Sequence, residues 1–216
     1  VVLLYVDDLI ITGDSRAIMD KFKAAISNRF KMKDLGALRW ILGVEIKRDR
    51  SRCILEMSQS AYINSVLTRF GMDNSKPVAT PAEGVLRRLA DGGPDHEFMQ
   101  LVGSVLYLAM ISRPDIAFAV QNLGRHMQRV GPDHWVAAKR LLRYLNGTRH
   151  LGIRFSGNVA NEDKLMGYCD ADWAGDVDDR RSTSAYVMML GGGAVSWKSK
   201  RMSSPALSST EAEYMA

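Results

Sequence analysis

Residues 1–13, VVLLYVDDLIITG, place two adjacent aspartates, Asp7 and Asp8, between two short runs of β-branched and apolar residues. Such runs are typical of β-strands, and a short polar break between them is typical of a tight hairpin. The sequence therefore predicts two strands that join at the aspartate pair. Adjacent carboxylates repel each other unless a positive group lies beside them, so this junction is also the first candidate functional site.

Divalent magnesium is the obvious partner for Asp7 and Asp8, because it takes carboxylate oxygens together with substrate phosphates. Two such ions about 4 Å apart can activate an attacking hydroxyl and stabilise the leaving oxygen of a phosphoryl displacement. An isolated Asp-Asp pair between strands is more often a plain polar turn. The pair alone leaves that alternative open.

The composition bounds the class of protein. The 216 residues suffice for one large domain or two small ones, and 46% hydrophobic with 25% charged residues is ordinary globular usage. No apolar run approaches the roughly 20 residues that a membrane-spanning helix needs, and nothing resembles a signal peptide, so we expect no membrane partner. The only cysteines, Cys53 and Cys169, lack CxxC spacing, which argues against a disulfide framework or a zinc site.

The positive charge is concentrated in one segment. The chain has a net charge of +5, while residues 112–160 alone contain eight Lys or Arg against two Asp. A concentrated basic segment is typical of a protein with a polyanionic partner. A solvated helix face is the alternative that charge alone leaves open.

The apolar pattern predicts mixed elements in the first third of the chain. After the hairpin, residues 14–30 predict a helix capped by Asp14 or Ser15. Residues 38–58 predict a second hairpin that turns near 48–52, and residues 60–72 predict a short helix before a loop. The apolar face of the first helix is expected to pack on the sheet and comprises Ile18, Phe22, Ile26 and Phe30.

The remaining two thirds begin helical and end in strands. Residues 97–149 predict helices broken at Pro114 and near Pro132, with Asp133 as the cap of the last one. The polar segment 155–164 marks a boundary. Three strands and the start of a helix follow it, and no internal repeat is present.

Several motifs occur in one order along these elements. Together they resemble the reverse transcriptases of copia-type (Ty1/copia) long-terminal-repeat retrotransposons, in the part of the Pol polyprotein that continues into ribonuclease H. The motifs are YVDD at 5–8, FKMKDLGALRWILGVEI at 30–46, LVGSVLYLAMISRPDIAFAV at 101–120, HWVAAKRLLRYLNGT at 134–148, GYCDADWAGDVDDRRSTSAY at 167–186, SWKSKRM at 196–202 and SSTEAEYMA at 208–216.

The resemblance implies roles for the residues of the first motifs. Asp7 and Asp8 would hold the catalytic magnesium ions, with manganese as an alternative, and Tyr5 would lie beside the primer terminus and the incoming nucleotide. The hairpin at Leu42 and Gly43 resembles the primer grip, and an ordinary core hairpin is its alternative. The family's third catalytic aspartate and its fingers belong to earlier segments, so we expect this chain to be a fragment.

The resemblance also implies a second carboxylate site, in the ribonuclease H region. Asp170 on a strand and Glu213 on a helix would share metal ions that cut a phosphodiester. Asp172, on the same strand face, is a weaker candidate than Asp170. Spacing alone favours another role for Glu213, as the N3 residue of a capping box that begins at Thr210. The family usually has Gly where this chain has Ala185.

The basic segment then acquires an expected partner. Thumb and connection helices of such enzymes follow the primer–template duplex through phosphate contacts, which are independent of base sequence. The candidate nucleic-acid-binding residues are Arg125, Arg129, Lys139, Arg140 and Arg143. A continuation toward the hybrid is expected at Arg180, Arg181, Lys198, Lys200 and Arg201.

The expected fold class is α+β. Residues 1–75 would form the remainder of a reverse-transcriptase palm and the start of the thumb, 76–156 a helical thumb and connection, and 157–216 the first half of a ribonuclease H-like mixed sheet. The expected partners are an RNA template with a DNA primer, deoxynucleotides, and other Pol and Gag products in cytoplasmic particles with nuclear access. Both sites lack some of the family's acids, so this chain alone is predicted to be inactive. The alternative is a non-catalytic nucleic-acid-binding relic of a decayed element.

Overall fold

The computed structural model describes residues 1–157 and 164–216 and divides the chain into two compact units. The first unit begins with the predicted hairpin. Its two-residue turn is Val6 and Asp7, one position earlier than expected, and Asp8 is already the first residue of the second strand, opposite Tyr5. The unit covers residues 1–42 and contains β1 (Val2–Tyr5), β2 (Asp8–Ile11), α1 (Arg16–Ser27) and the short β3 (Trp40–Ile41).

Helix α1 forms where the pattern predicts it. Of the two predicted caps it uses Ser15, whose hydroxyl accepts a hydrogen bond from the Ile18 amide at 3.4 Å. The expected burial of its apolar face is wrong, because no α1 residue is buried and Ile18 remains 69% exposed. Periodicity tells which side of a helix a partner would cover, and no described element of this unit covers that side.

The second unit, residues 43–216, contains the second predicted hairpin. Its strands are β4 (Val44–Asp49) and β5 (Ile54–Ser58), and β5 also pairs with β6 (Gly152–Ser156), all antiparallel. The carboxylate of Asp49 holds the turn by accepting hydrogen bonds from the amides of Ser51 and Arg52, at 3.0 and 3.1 Å. β6 lies in the predicted thumb and connection segment, residues 76–156, but pairs with a strand of the predicted palm segment, residues 1–75.

The largest core lies among four helices of this unit. The predicted breaks are confirmed, with Pro114 opening a 3₁₀ turn at Pro114–Ile116 and Pro132 beginning the last helix. Every helix contributes fully buried apolar side chains to one cluster. The helices are α2 (Ser60–Arg69), α3 (His96–Ile111), α4 (Ala117–Gly124) and α5 (Pro132–Gly147).

The predicted capping residue of α5 is wrong. Its N-cap is Gly131, and Asp133 lies within the first turn. The ring of His134 supplies the side-chain partner, since its Nδ1 accepts a hydrogen bond from the Gly131 amide at 3.1 Å. A buried imidazole therefore replaces the expected carboxylate at this helix start.

The predicted three-stranded meander follows the helices. It consists of β7 (Met166–Ala171), β8 (Thr183–Leu190) and β9 (Gly193–Arg201), with α6 (Ser209–Met215) after it. Ala212 of α6 is buried in a small cluster against which Ala171 of β7 packs, and the Trp197 indole donates to the Ala109 carbonyl of α3 at 2.7 Å.

These elements confirm the α+β class. The palm and ribonuclease H assignments and their boundaries stay predictions. Residues 158–163 of the predicted polar boundary lie outside the described residues. Among the residues that are described, no helix is long and apolar enough to cross a bilayer.

Candidate catalytic and nucleic-acid-binding sites

The opening hairpin presents two carboxylates that folding leaves unused. Asp7 is the second residue of the turn, and Asp8 pairs with Tyr5 through the backbone. All three side chains are exposed, and neither carboxylate makes a hydrogen bond or ion pair within residues 1–157 and 164–216. Both are thus free to take a ligand.

The backbone at this turn is strained. Val6 has φ +49°, a left-handed conformation that a β-branched residue rarely adopts. Strain of this kind often occurs at functional sites, where the surrounding structure holds it in place. The strained residue directly precedes Asp7, the first of the two candidate metal ligands.

The predicted primer grip also lies at a turn. Leu42 and Gly43 have φ values of +49° and +69°, and two consecutive positive values are typical of a type I′ turn. Glycine adopts this conformation freely, whereas leucine does so at a cost. The primer-grip role stays a prediction.

Asp170 and Asp172 are used differently by the fold. The Asp172 carboxylate accepts a hydrogen bond from the Thr183 amide at 2.5 Å, and its own amide donates to the Thr183 carbonyl at 3.1 Å. Asp170 lies within β7 opposite Ala185, is exposed and has no such contact among the described residues. The structure thus favours Asp170 as the available carboxylate.

The capping role that spacing suggests for Glu213 is wrong. Helix α6 begins earlier, with Ser208 as its N-cap, and the Ser208 hydroxyl accepts from the Glu211 amide at 3.1 Å. The Glu211 carboxylate in turn accepts from the Leu207 amide at 2.6 Å. Glu211 therefore completes the cap, and the exposed Glu213 carboxylate is left without a partner in the described part of the chain.

The structure brings the elements that carry Asp170 and Glu213 together. Ala171 and Ala212, the immediate neighbours of the two acids, pack in one small cluster. Because side chains alternate along a strand, Asp170 points to the sheet face opposite the one that Ala171 shares with α6. Within the described residues no group of three or more His, Cys, Asp or Glu side chains could hold a metal ion, so the shared site stays a prediction.

Most of the candidate nucleic-acid-binding arginines contact the chain itself. Arg129 donates to the Ala90 carbonyl at 3.2 Å, Arg140 to the Thr80 hydroxyl at 2.9 Å, and Arg143 to the Lys76 carbonyl at 2.6 Å. Arg140 also pairs with Glu83. These contacts hold the long coil between α2 and α3, residues 70–95, against the helices.

The other two candidates differ from each other. Arg125 is only 17% exposed in its side chain and pairs with the buried Asp176. Lys139 is exposed and makes no ion pair or hydrogen bond with another described residue. It lies beside a cavity of about 400 Å³ lined by Phe70, Met72, Glu97, Leu101, Trp135, Lys139 and Leu142.

Asp176 is an organising residue that the sequence did not reveal. It is 1% exposed and joins Arg125 at the end of α4 to Arg201 at the end of β9, whose Nε lies 2.9 Å from the carboxylate. Burial works to raise the pKa of Asp176, but the Asp178 amide, Arg125 and Arg201 outweigh it and hold the pKa below its usual range. Its motif, GDVDDRR, gave only the signal of a polar link between strands.

A buried histidine pair was also missed. The rings of His126 and His134 stack with centroids 4.4 Å apart, and Nε2 of His126 has no partner among the described residues. Burial, followed by the nearby His134 and Arg125 charges, lowers the pKa of His126 to about 4. The His126 ring is therefore uncharged within the core at neutral pH.

Comparison with known proteins gives consistent matches. The family model described as "Reverse transcriptase (RNA-dependent DNA polymerase)" matches residues 1–84. Over its full length the chain is 42% identical to the retrovirus-related Pol polyprotein from transposon TNT 1-94 of Nicotiana tabacum, of which it spans 17%. Across 99% of its length it is 32% identical to the putative transposon Ty5-1 protein YCL074W of Saccharomyces cerevisiae, and it covers 70% of that protein.

A further relative is similar in extent to this chain. The uncharacterized mitochondrial protein AtMg00810 of Arabidopsis thaliana is 36% identical over 99% of the chain, which covers 88% of that protein. No solved structure matches the chain.

Proposed function

Because the chain belongs to the reverse transcriptase family of copia-type retrotransposon Pol polyproteins, we propose that it is a segment of an RNA-directed DNA polymerase joined to ribonuclease H. The whole protein would copy RNA into DNA and then degrade the RNA strand of the hybrid. The observation that carries the proposal is the YVDD hairpin, which presents two adjacent, exposed and unpaired carboxylates on a strained turn.

Magnesium fits the chemistry of this hairpin. Carboxylate oxygens are the ligands that this ion prefers, and folding uses neither the Asp7 nor the Asp8 carboxylate. These two residues would hold the ion, or manganese in its place, and the bound ion would stabilise the charge that develops during phosphoryl transfer. Tyr5, opposite Asp8 in the ladder, offers a ring beside which a primer terminus or nucleotide base can lie.

The ribonuclease H part of the proposal rests on Asp170 and Glu213. The fold occupies their neighbours Asp172 and Glu211 with hydrogen bonds and leaves these two carboxylates available. They would hold the metal ions of the nuclease site. The family's further acids belong to later elements, so the two residues supply half of that site.

The proposal predicts an inactive isolated chain. Residues 1–216 contain two of the acids that the family uses at each site, and a partial ligand set holds its metal weakly. We expect no detectable primer extension by the purified 216-residue chain in magnesium or manganese. Extension that disappears on Asp7→Asn would show that these residues suffice.

The decisive experiment uses the polypeptide that the source cells make. An immunoblot against α5 measures its size, and the same polypeptide is then assayed with Asp7→Asn and with Asp14→Asn, an exposed aspartate of the same unit, as the matched control. We expect Asp7→Asn to abolish metal-dependent primer extension while hybrid binding persists, and Asp14→Asn to change neither. Full extension by Asp7→Asn would refute the proposal.

A non-catalytic nucleic-acid-binding protein is the second candidate. It is favoured by the relative of which the chain covers 88%, since most of that protein corresponds to these residues alone. A native polypeptide near 24 kDa that binds hybrid with a steep salt dependence, yet never extends a primer, would support this candidate.

The remaining parts of the proposal follow from the family. The partners would be an RNA template with a DNA primer, deoxynucleotides, and other Pol and Gag products. Synthesis would take place in cytoplasmic particles, with access of the product to the nucleus.

A further inference from the structure

The three-stranded sheet has two faces of different character, and the register assigns each residue to one of them. Trp197 belongs to the inner face, because its indole bonds to the Ala109 carbonyl of α3. Lys198 and Lys200 alternate with Trp197 along β9 and therefore point away from α3. Both lysines are exposed.

The outer face is basic and carries no acid on its strands. Lys198 lies opposite Tyr186, and Lys200 lies opposite Ser184. The other outer positions are small or apolar, so nothing on the three strands neutralises the two ammonium groups. These positions are Gly167, Cys169, Ala171, Met188 and Ser196.

Five cations were expected to continue the nucleic-acid track, and the structure separates them. Arg201 pairs with Asp176 and Asp179, and Arg181 pairs with Asp179 at 3.5 Å. Arg180 is exposed, but it lies in the loop with a left-handed backbone, outside the sheet. Only the lysine pair combines exposure, a rigid strand and no ion pair within the described residues.

The outer face is also the face that carries α6. Ala171, Ser184 and Lys200 form one cross-strand row, and Ala171 packs against the small cluster that contains Ala212, the neighbour of Glu213. Two strand spacings separate the ends of this row, which is about 10 Å. Lys200 therefore lies on the side of the sheet that carries α6, the helix of Glu213, whereas Asp170 points to the other side.

We propose that Lys198 and Lys200, with Tyr186 opposite Lys198 on the central strand, form a surface that binds the phosphate backbone of the RNA–DNA hybrid beside α6. The inference rests on the proposed function. Lysine ammonium groups are compact point charges suited to phosphates, and contacts of this kind position a duplex without reading its bases. Two lysines on one strand face stand roughly 6.6 Å apart, so they can meet successive points of one backbone.

The test measures hybrid affinity of the full chain against salt. Wild type is compared with Lys198→Gln/Lys200→Gln, and Lys21→Gln/Lys31→Gln is the matched control that removes two exposed positive charges without an ion pair among the described residues. A short RNA–DNA hybrid is the probe, and circular dichroism checks that each variant folds. We expect the slope of log affinity against log salt to fall in magnitude by roughly two in the β9 variant, because each lost phosphate contact removes about 0.9. The control should keep the wild-type slope.

Two outcomes would overturn the inference. The first is that the wild-type chain binds hybrid but the β9 variant and the control have equal slopes. This result would leave the polymerase proposal intact, because Asp7→Asn tests that proposal separately. The other is a β9 variant that keeps its slope but changes its oligomeric state, which would assign the face to protein contacts. A second variant, Tyr186→Ala, should weaken binding without changing the slope, since the ring carries no charge.

Discussion

The opening hairpin with α1 and the four-helix core present apolar patterns of the same kind, but only the core buries its pattern. Phe98 and Leu108 in the core are fully buried, whereas Leu4 and Ile18 are 73% and 69% exposed. The charged side chains differ in a similar way, because buried ones of the second unit are paired whereas Asp7 and Asp8 have no partner among the described residues. The comparison teaches that the core uses its side chains for folding, whereas those of the hairpin remain exposed, as the proposed function requires of them.

The paired charges show this most clearly in the second unit. Arg113 is 1% exposed, donates to both carboxylate oxygens of Asp115 at 2.7 to 3.2 Å, and bonds to the Thr148 carbonyl at 3.0 Å. Burial works to raise the pKa of Asp115, but Arg113 and Tyr144 hold it below its usual range. Asp7 and Asp8, by contrast, have no cationic partner among the described residues.

The largest predicted effect breaks a paired charge. Asp176→Asn removes the negative charge that Arg125 and Arg201 share. The two guanidinium groups then lie close together with only the Asp179 carboxylate, which pairs with Arg201, to neutralise their charge. Breaking a buried ion pair from one side costs about 3–5 kcal/mol. We expect the free energy of unfolding to fall by that amount in urea titrations followed by tryptophan fluorescence.

Asp179 provides the control for Asp176. Its carboxylate also pairs with Arg201, but its side chain is 38% exposed. Exposed pairs contribute about 0–1 kcal/mol, so Asp179→Asn should change the free energy of unfolding little. Equal losses from the two variants would mean that burial does not distinguish these carboxylates.

The second prediction compares one apolar side chain from each region. Leu101 is fully buried within α3, and its replacement by alanine leaves a cavity that costs about 2–5 kcal/mol. Ile18 in α1 has the same type of helical position but is exposed, so Ile18→Ala should cost less than about 0.5 kcal/mol. The same urea titration measures both. A large loss from Ile18→Ala would show that α1 packs on a partner in solution.

The third prediction concerns pH and the core histidines. The pKa of His126 is about 4 in the folded chain and about 6.5 when unfolded, so the unfolded chain binds the extra proton between these values. Stability is complete above about pH 6.5 and falls as the pH drops toward 4, by up to about 3 kcal/mol. His134, Arg125 and Arg88 oppose protonation of His126, and Asp178 favours it.

His126→Phe isolates this effect. Phenylalanine keeps a ring stacked on His134 and removes the buried Nε2 that lacks a partner within the described residues. The variant should show no change in the free energy of unfolding between pH 6.5 and 4. It should still become less stable at lower pH, where Asp115 and Asp176 become protonated, because folding lowers the pKa of each. An unchanged pH profile would mean that the imidazole is not the titrating group.

Local pattern was sufficient to predict most elements from the sequence. Alternating apolar residues with turn signals predicted the hairpins and the three-strand meander, and Pro114 and Pro132 predicted the helix breaks. These signals act within a few residues, so one sequence contains them. Asp7 and Asp170 also lie in local motifs, but their expected roles come from the resemblance to the family rather than from the pattern alone.

Contacts between distant residues could not be predicted. Arg143 bonds to the Lys76 carbonyl, 67 positions away, and Arg125 pairs with Asp176, 51 positions away. Nothing in the sequence near these arginines distinguishes them from arginines that bind phosphate. The exposure of α1 was missed for the same reason, because periodicity does not reveal whether a covering element is present.

The smallest predicted effect separates the two acids of α6. Ser208→Ala removes the hydroxyl that accepts from the Glu211 amide, and loss of such a cap costs about 1 kcal/mol, so amide exchange within α6 should become roughly 5-fold faster. Glu213→Gln removes no contact with a described residue and should leave exchange unchanged. Faster exchange in Glu213→Gln would mean that the helix needs this carboxylate. Unchanged exchange in Glu213→Gln is what a metal-ligand role for Glu213 requires. If the fold already used this carboxylate, its contact would have to break before the carboxylate could hold an ion.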